Sequence, residues 1–199
     1  MRIAILNDTH CGVKNGSEVF LNNAEDFYTK VFFPYLKENN IDTILHLGDY
    51  FEHRKYINFK ALNQNKRVFL DVLRERGIHM SIIPGNHDVY YKNTNQLNSL
   101  TECLAEYNDC VTIYGKCVDL KLDDVTIGMV PWICPENEED CLEFLSNTKS
   151  QVIMGHFELG GFKYMGNANI KSHGMDRKVL KKFDAVYSGH YHTKSTQDN

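Results

Sequence analysis

The feature that most constrains this chain is one pattern repeated five times: a short apolar run that stops at a turn and delivers Asp, Asn or His. IAIL runs into Asn7-Asp8-Thr9-His10, TILHL into Gly48-Asp49, and MSII into Pro84-Gly85-Asn86-His87-Asp88. QVIM runs into Gly155-His156, and AVYS into Gly189-His190-Tyr191-His192. Short apolar runs bounded this way read as buried strands, here over 2–6, 42–47, 78–83, 151–154 and 184–187. They alternate with amphipathic stretches, the mark of an α/β domain. In such sheets ligands gather just beyond the carboxyl ends of the strands, so five polar clusters in the same register converge on one crevice.

The stretches between the runs supply helices. Ala24, Phe27, Tyr28, Val31, Phe32, Tyr35 and Leu36 recur at three- and four-residue steps, predicting a helix with Asn22 and Glu25 as its cap pair and a kink at Pro34. Leu62, Phe69, Val72 and Leu73 line a second helix that Gly77 ends. Weaker helical patterns cover 96–107, 138–147 and 176–182, and the acids around Glu138 suit a solvated helix start. Residues 117–122 and 125–131 alternate about Asp123-Asp124 as a hairpin. The Gly-rich stretch 157–175 is expected to be a substrate flap.

A length of 199 residues with 42% apolar content fits one domain over 1–199. No run approaches the roughly 20 apolar residues of a membrane span, and no secretory leader opens the chain. The six cysteines form no CxxC pair and read as reduced thiols of a cytoplasmic protein. A net charge of −4 gives no global nucleic-acid footprint. The oddity is nine histidines, of which His10, His87, His156, His190 and His192 lie in the five motifs.

Asp8, His10, Asp49, Asn86, His156, His190 and His192 make seven oxygen and nitrogen ligands, too many for one metal ion and suited to two. Asp49, alone in its motif, is the natural bridge. Imidazole with carboxylate and amide oxygen suits Mn²⁺, Fe²⁺ or Zn²⁺. Two such ions, roughly 3.5–4 Å apart, clamp a phosphate and activate water for its displacement. They would also offset the formal charge of −4, so net charge does not exclude a nucleic-acid substrate.

Asp8-x-His10, Gly48-Asp49, Gly85-Asn86-His87-Asp88, Gly155-His156 and Gly189-His190-x-His192 resemble, in order, the five motifs of the calcineurin-like metallophosphoesterases. The resemblance implies an αββα sandwich, two mixed β-sheets flanked by helices. It implies that Asp8, His10 and His192 hold a first metal, that Asn86, His156 and His190 hold a second, and that Asp49 is shared. It also implies a catalytic His87 facing the phosphate, its ring oriented by Asp88.

Finer likeness lies in Gly48-Asp49-Tyr50-Phe51-Glu52-His53-Arg54-Lys55, Val130-Pro131-Trp132, Gly155-His156-Phe157-Glu158-Leu159 and Lys171-Ser172-His173-Gly174. These resemble the SbcD nucleases, the nuclease halves of SbcC–SbcD recombination and repair complexes, with the T-even phage branch nearest. That implies two Mn²⁺ ions (Mg, Fe or Zn in their place) and DNA hydrolysis, exonucleolytic on duplex ends and endonucleolytic on single strands. It further implies an SMC-like ATPase partner of the SbcC type, homodimerisation, and the host cytoplasm if the chain is phage-encoded. Because such relatives continue beyond the last motif, the expectation is a nuclease core lacking the capping and ATPase-binding regions.

One departure matters. Some relatives carry His three residues after the shared Asp; here Glu52 stands there with His53 next, and neither is expected to be catalytic. His53, Arg54, Lys55 and His173 are the expected substrate contacts, although His173 could equally fix its loop. Lys60, Lys66 and Arg67 extend the basic segment or simply solvate a helix. His46 is expected in the core, His79 at the surface, and Cys11 as a packed thiol. Two rival readings stand beside the nuclease: a phosphodiesterase or phosphatase of small molecules, and a fragment that binds DNA or a partner without cutting.

Overall fold

The computed structural model describes residues 1–161, 174–192, 194 and 196. Among these, eight strands form two four-stranded sheets. β1 (Ala4–Leu6), β2 (Thr43–His46), β3 (His79–Ile82) and β4 (Val111–Ile113) pair in that order, all parallel. β5 (Val118–Leu122), β6 (Val125–Val130), β7 (Val152–Gly155) and β8 (Ala185–Ser188) form the second sheet, where only β5–β6 is antiparallel. The hairpin closes with Leu122 opposite Val125, and Asp123 takes the left-handed conformation the turn needs (φ 51°).

The apolar runs are continuous because the inner parallel strands β2, β3 and β7 are buried on both faces, while the edge strands β1 and β8 leave Ile5 and Tyr187 exposed. Leu45, Leu47, Ile83, Ile127, Met129 and Met154 pack between the sheets. On the other side of the first sheet, Ile44, Met80 and Ile82 meet Tyr28, Phe33, Phe69 and Leu73 of the two long helices. Beyond the second sheet, Ile153 meets Cys141, Leu145 and Phe183. The layers are therefore helix, sheet, sheet, helix, as expected, with mixed pairing confined to the second sheet.

The helices differ in detail from their expected form. The first begins at Glu18, not near Asn22, because Leu21 is already buried and the inward face starts a turn earlier. Asn22 and Glu25 lie within it, and Ser17 stands at the cap position. Pro34 offers no N–H to the preceding turn. The chain answers with a π-turn over Phe27–Phe32, in which the Phe33 amide bonds Tyr28 O, and the helix resumes over Phe33–Glu38. The second long helix starts at Phe59, where the Asn58 side chain accepts from Ala61 N; it widens into a π-turn at Lys66–Leu70 and ends at Gly77 (φ 64°). Tyr28 and Phe69, one from each π-turn, pack with their rings tilted and centroids 4.6 Å apart.

The 96–107 pattern resolves into Ser99–Leu104, capped by Asn98, and one 3₁₀ turn. Glu138–Asn147 forms where expected, with Glu138, Glu139 and Asp140 in its first turn. The 176–182 pattern yields only a 3₁₀ turn, Arg177–Leu180. No helix among the described residues is long and apolar enough to cross a membrane.

Candidate functional site

Parallel pairing of β1, β2 and β3 releases Asp8, His10, Asp49, Asn86 and His87 from the same sheet edge. Main-chain bonds lock the first two loops together: Asp8 N donates to Gly48 O (3.0 Å), His10 N to Asp49 O (3.1 Å) and Cys11 N to Tyr50 O (2.7 Å). The second sheet is tied to the first at the same place. His156 Nδ1 lies 2.7 Å from Leu47 O, and His190 N donates to Asp8 Oδ1 at 3.0 Å. Gly85 must be glycine, since a Cβ there would come within 2.3 Å of Asp49 N.

Four side chains sit on left-handed backbone: Asp8 (φ 50°), His10 (φ 44°), Asp49 (φ 53°) and His190 (φ 86°). Each such residue costs on the order of 1 kcal/mol or more, and this kind of strain concentrates at functional sites. The loops are thus held in shapes that aim side chains rather than shapes the backbone prefers.

The ligand atoms of Asp8, His10, Asp49 and His192 all lie within 4.8 Å of one another, as do those of Asp49, His156 and His190. Asn86 Oδ1 joins the second group, 3.0 Å from His156 Nε2 and 2.8 Å from His190 Nδ1. The seven expected ligands therefore gather as two donor sets with Asp49 in common. The facing atoms call for positive charge between them. His10 Nε2 is 3.0 Å from His192 Nε2, one lone pair towards another unless a proton or cation intervenes. His156, whose Nδ1 faces a carbonyl, turns Nε2 towards two oxygens, Asn86 Oδ1 and Asp49 Oδ2 (3.3 Å). This donor chemistry fits two divalent ions.

Electrostatics agree. Burial alone would raise the Asp49 carboxyl, but the His156 ring and the His87 amide, which donates to Oδ1 at 2.7 Å, hold it well below the usual range. Burial pulls His156 down, yet Asp49 beside it lifts it above its ordinary value. His10 is lowered, because burial outweighs the pull of Asp49 and Glu52.

Two expected roles are redistributed. Asp88 does not touch the His87 ring. Its fully buried carboxylate accepts from Gly85 N (2.9 Å), Phe51 N (3.0 Å) and Tyr50 N (3.2 Å), so it clamps the second and third motif loops together. Burial, then repulsion from Asp49, pushes its pKa up to about 6. The partner of His87 Nδ1 is instead the carbonyl oxygen of Glu52, 2.6 Å away.

The expected substrate contacts separate. Arg54 is half-buried within electrostatic reach of Asp49, and its Nη1 has no hydrogen-bond partner. His53 stacks on Tyr56 (4.3 Å), and the Lys55 ammonium lies 5.6 Å from the Tyr90 ring centre. Lys60, Lys66 and Arg67 are engaged by Glu18, Glu106 and Glu25, so they do not extend a free basic segment. His173 and residues 162–173 of the expected flap lie outside the described residues. Cys11 packs against Ala61 O, and burial, then the neighbouring Cys103, pushes its pKa up to about 12, which leaves a thiol rather than a thiolate ligand. His46 is fully buried and His79 exposed, as expected.

Sequence reasoning passed over three contributors. His46 links the first two motifs, accepting from Gly48 N at Nδ1 (3.3 Å) and meeting Thr9 Oγ1 at Nε2 (3.0 Å). Trp132 walls the second donor set, with ring centroids 5.5 Å from His190 and 6.1 Å from His156. Glu52 touches two site histidines at once. Trp132 and Glu52 each lay in a family-like stretch, though neither was given a role; His46 carried no such signal.

The model of the calcineurin-like phosphoesterase family matches residues 1–194. The chain is 36% identical over 199 residues to "Exonuclease subunit 1" of Enterobacteria phage T4, spanning 57% of that protein's length. Two solved structures resemble it more loosely. One is described as a novel archaeal phosphodiesterase (15% identity, TM-score 0.47, 96% of this chain and 84% of that one). The other is a protein of unknown function from Aquifex aeolicus (17% identity, TM-score 0.48, 94% and 89%).

Proposed function

The chain belongs to the calcineurin-like phosphoesterases, and from that premise we propose that it is the catalytic core of a DNA nuclease that cuts phosphodiesters with two Mn²⁺ ions. The observation that carries this is the meeting of Asp8, His10, His192, Asn86, His156 and His190 around a shared Asp49. Asp8, His10, Asp49 and His192 would hold one ion, and Asp49, Asn86, His156 and His190 the other. Bound there, two divalent ions supply charge neutralisation for the phosphate and acidity for a water.

The rest is the work of the chain's own side chains. His87, its Nδ1–H donated to the Glu52 carbonyl, keeps Nε2 for the phosphate, where the doubly protonated ring can donate to a phosphate oxygen or pass a proton to the departing alkoxide. Arg54 brings a half-buried guanidinium within electrostatic reach of Asp49, of a type suited to a non-bridging phosphate oxygen. His53, Lys55 and His173 complete the proposed substrate contacts. Asp88 serves catalysis through the loop it clamps.

The DNA substrate and the ATPase partner of the SbcC type rest on the likeness to the phage exonuclease subunit and on the motif stretches around Asp49 and His156. A recombination and repair role in the host cytoplasm goes with them, and six unbridged thiols suit that compartment. For the homodimer we point to the first long helix, which exposes Phe20, Phe27, Val31 and Tyr35 at helical spacing.

Incubating linear duplex and hairpin DNA with Mn²⁺ or Mg²⁺ tests the reading, with Asp49→Ala as control. Degradation in Mn²⁺ that Asp49→Ala abolishes is expected. Turnover of bis-p-nitrophenyl phosphate with the duplex left intact would instead mark a small-molecule phosphodiesterase.

A further inference from the structure

Glu52 is fixed where the loops of the first two motifs run side by side. Its amide donates to Cys11 O (3.1 Å), whose own amide donates to Tyr50 O (2.7 Å). From that position it makes two contacts of different kinds. Its side-chain Oε2 lies 2.8 Å from His10 Nδ1, and its main-chain oxygen lies 2.6 Å from His87 Nδ1. The two rings are themselves edge-to-face, with centroids 5.0 Å apart. His10 Nδ1 is fully enclosed and meets no hydrogen-bond partner of good alignment, so this carboxylate is the charged group that answers it.

We infer that Glu52 is a positioning residue that acts through His10 and His87 together, setting the first donor set with its side chain and the phosphate-facing imidazole with its backbone. The inference rests on the two-ion reading given above. Both contacts are made at Nδ1, and that selects the tautomers. A carboxylate set 2.8 Å from Nδ1 of His10 favours the ring proton on that nitrogen, which leaves Nε2 its lone pair, and Nε2 is the atom facing His192 Nε2 (3.0 Å), Asp49 Oδ2 (3.8 Å) and Asp8 Oδ1 (4.0 Å). A carboxylate on the outer nitrogen of a ligating imidazole fixes the ring and raises its basicity, and losing it typically costs about 10- to 100-fold in metal affinity. With the Nδ1 proton of His87 given to a carbonyl, Nε2 becomes the atom that exchanges protons with substrate. Because the His87 contact is main-chain, it survives side-chain substitution, and the two roles separate experimentally.

The test is calorimetric titration of the metal-stripped protein with Mn²⁺ alone, for wild type, Glu52→Gln, Glu52→Asp and His87→Gln, together with the thermal midpoint of each metal-free protein. Wild type should bind two Mn²⁺. Glu52→Gln should weaken one of the two binding events by about 10- to 100-fold and leave the other and the metal-free midpoint in place. Glu52→Asp should recover part of the loss, and His87→Gln should bind both ions like wild type. Saturating Mn²⁺ should return the turnover of Glu52→Gln to near wild type, since His87 keeps its partner. Glu52→Gln with two unchanged affinities overturns the inference alone, as does equal weakening of both with a lowered midpoint. A wild-type protein that takes up no pair of Mn²⁺ overturns the two-ion reading, and this inference with it.

Discussion

Asp88 carries a carboxylate into a place with no solvent and satisfies it with three main-chain amides. Removing it leaves those N–H groups buried without acceptors, at about 1–3 kcal/mol each before relaxation. Asp88→Ala should therefore lower unfolding free energy by about 3–5 kcal/mol in urea denaturation. A loss under about 1 kcal/mol would mean that the amides find other acceptors. Asp88→Asn, which keeps one acceptor oxygen, should fall between. From sequence, the family resemblance gave Asp88 the His87 ring to orient. Which way its side chain turns depends on Tyr50 and Phe51, which are 38 and 37 residues away, and no local pattern reports that. Glu52 was undervalued for the same reason, since its partners come from two other motifs.

Strands β1, β2, β3, β7 and β8 were legible to within a residue or two as short apolar runs, and β5 and β6 by their alternation, signals that do not depend on partners; β4, three residues long, was not singled out. The π-turns were not. Pro34 announces a disturbance in the first long helix, but nothing in Lys66–Leu70 does; that widening occurs where Tyr28 and Phe69 meet. Phe69 is fully buried, with Tyr28, Phe33 and Tyr50 around it at 4.6, 5.8 and 6.3 Å. Phe69→Ala should cost about 3–5 kcal/mol by thermal or urea unfolding, and a smaller loss would indicate that the helices close over the gap.

The end of β2 carries a second prediction. Burial drives the His46 pKa down to about 3 from its ordinary value of 6.5, so the fold keeps the ring neutral where the unfolded chain would protonate it. Its contribution is complete above the unfolded value and is lost as pH falls towards the folded one, by up to about 1.4 kcal/mol per pH unit. Unfolding free energy measured between pH 7 and pH 4 should fall along this limb. His46→Gln, which cannot titrate, should flatten it while lowering stability at pH 7; an unchanged slope would assign the acid limb to other groups.

At the scale of the whole molecule, the two-sheet sandwich and the convergence of five motifs were readable, while the tie between the sheets was not. Asp8, His10, Asp49 and Asn86 follow strands of the first sheet, and His156, His190 and His192 follow strands of the second. An ion bound only by the folded chain raises stability by mass action, about 2.7 kcal/mol at a hundredfold excess over its dissociation constant. Mn²⁺ should raise the thermal midpoint, a chelator should reverse the shift, and Asp49→Ala should abolish most of it. A midpoint indifferent to Mn²⁺ would argue against ions at this place. The sharing of Asp49 then has a consequence beyond chemistry. One carboxylate placed between donors from the two sheets would let bound ions act as a rivet through the sandwich, so a substitution that strips the ions would also loosen the join between the sheets.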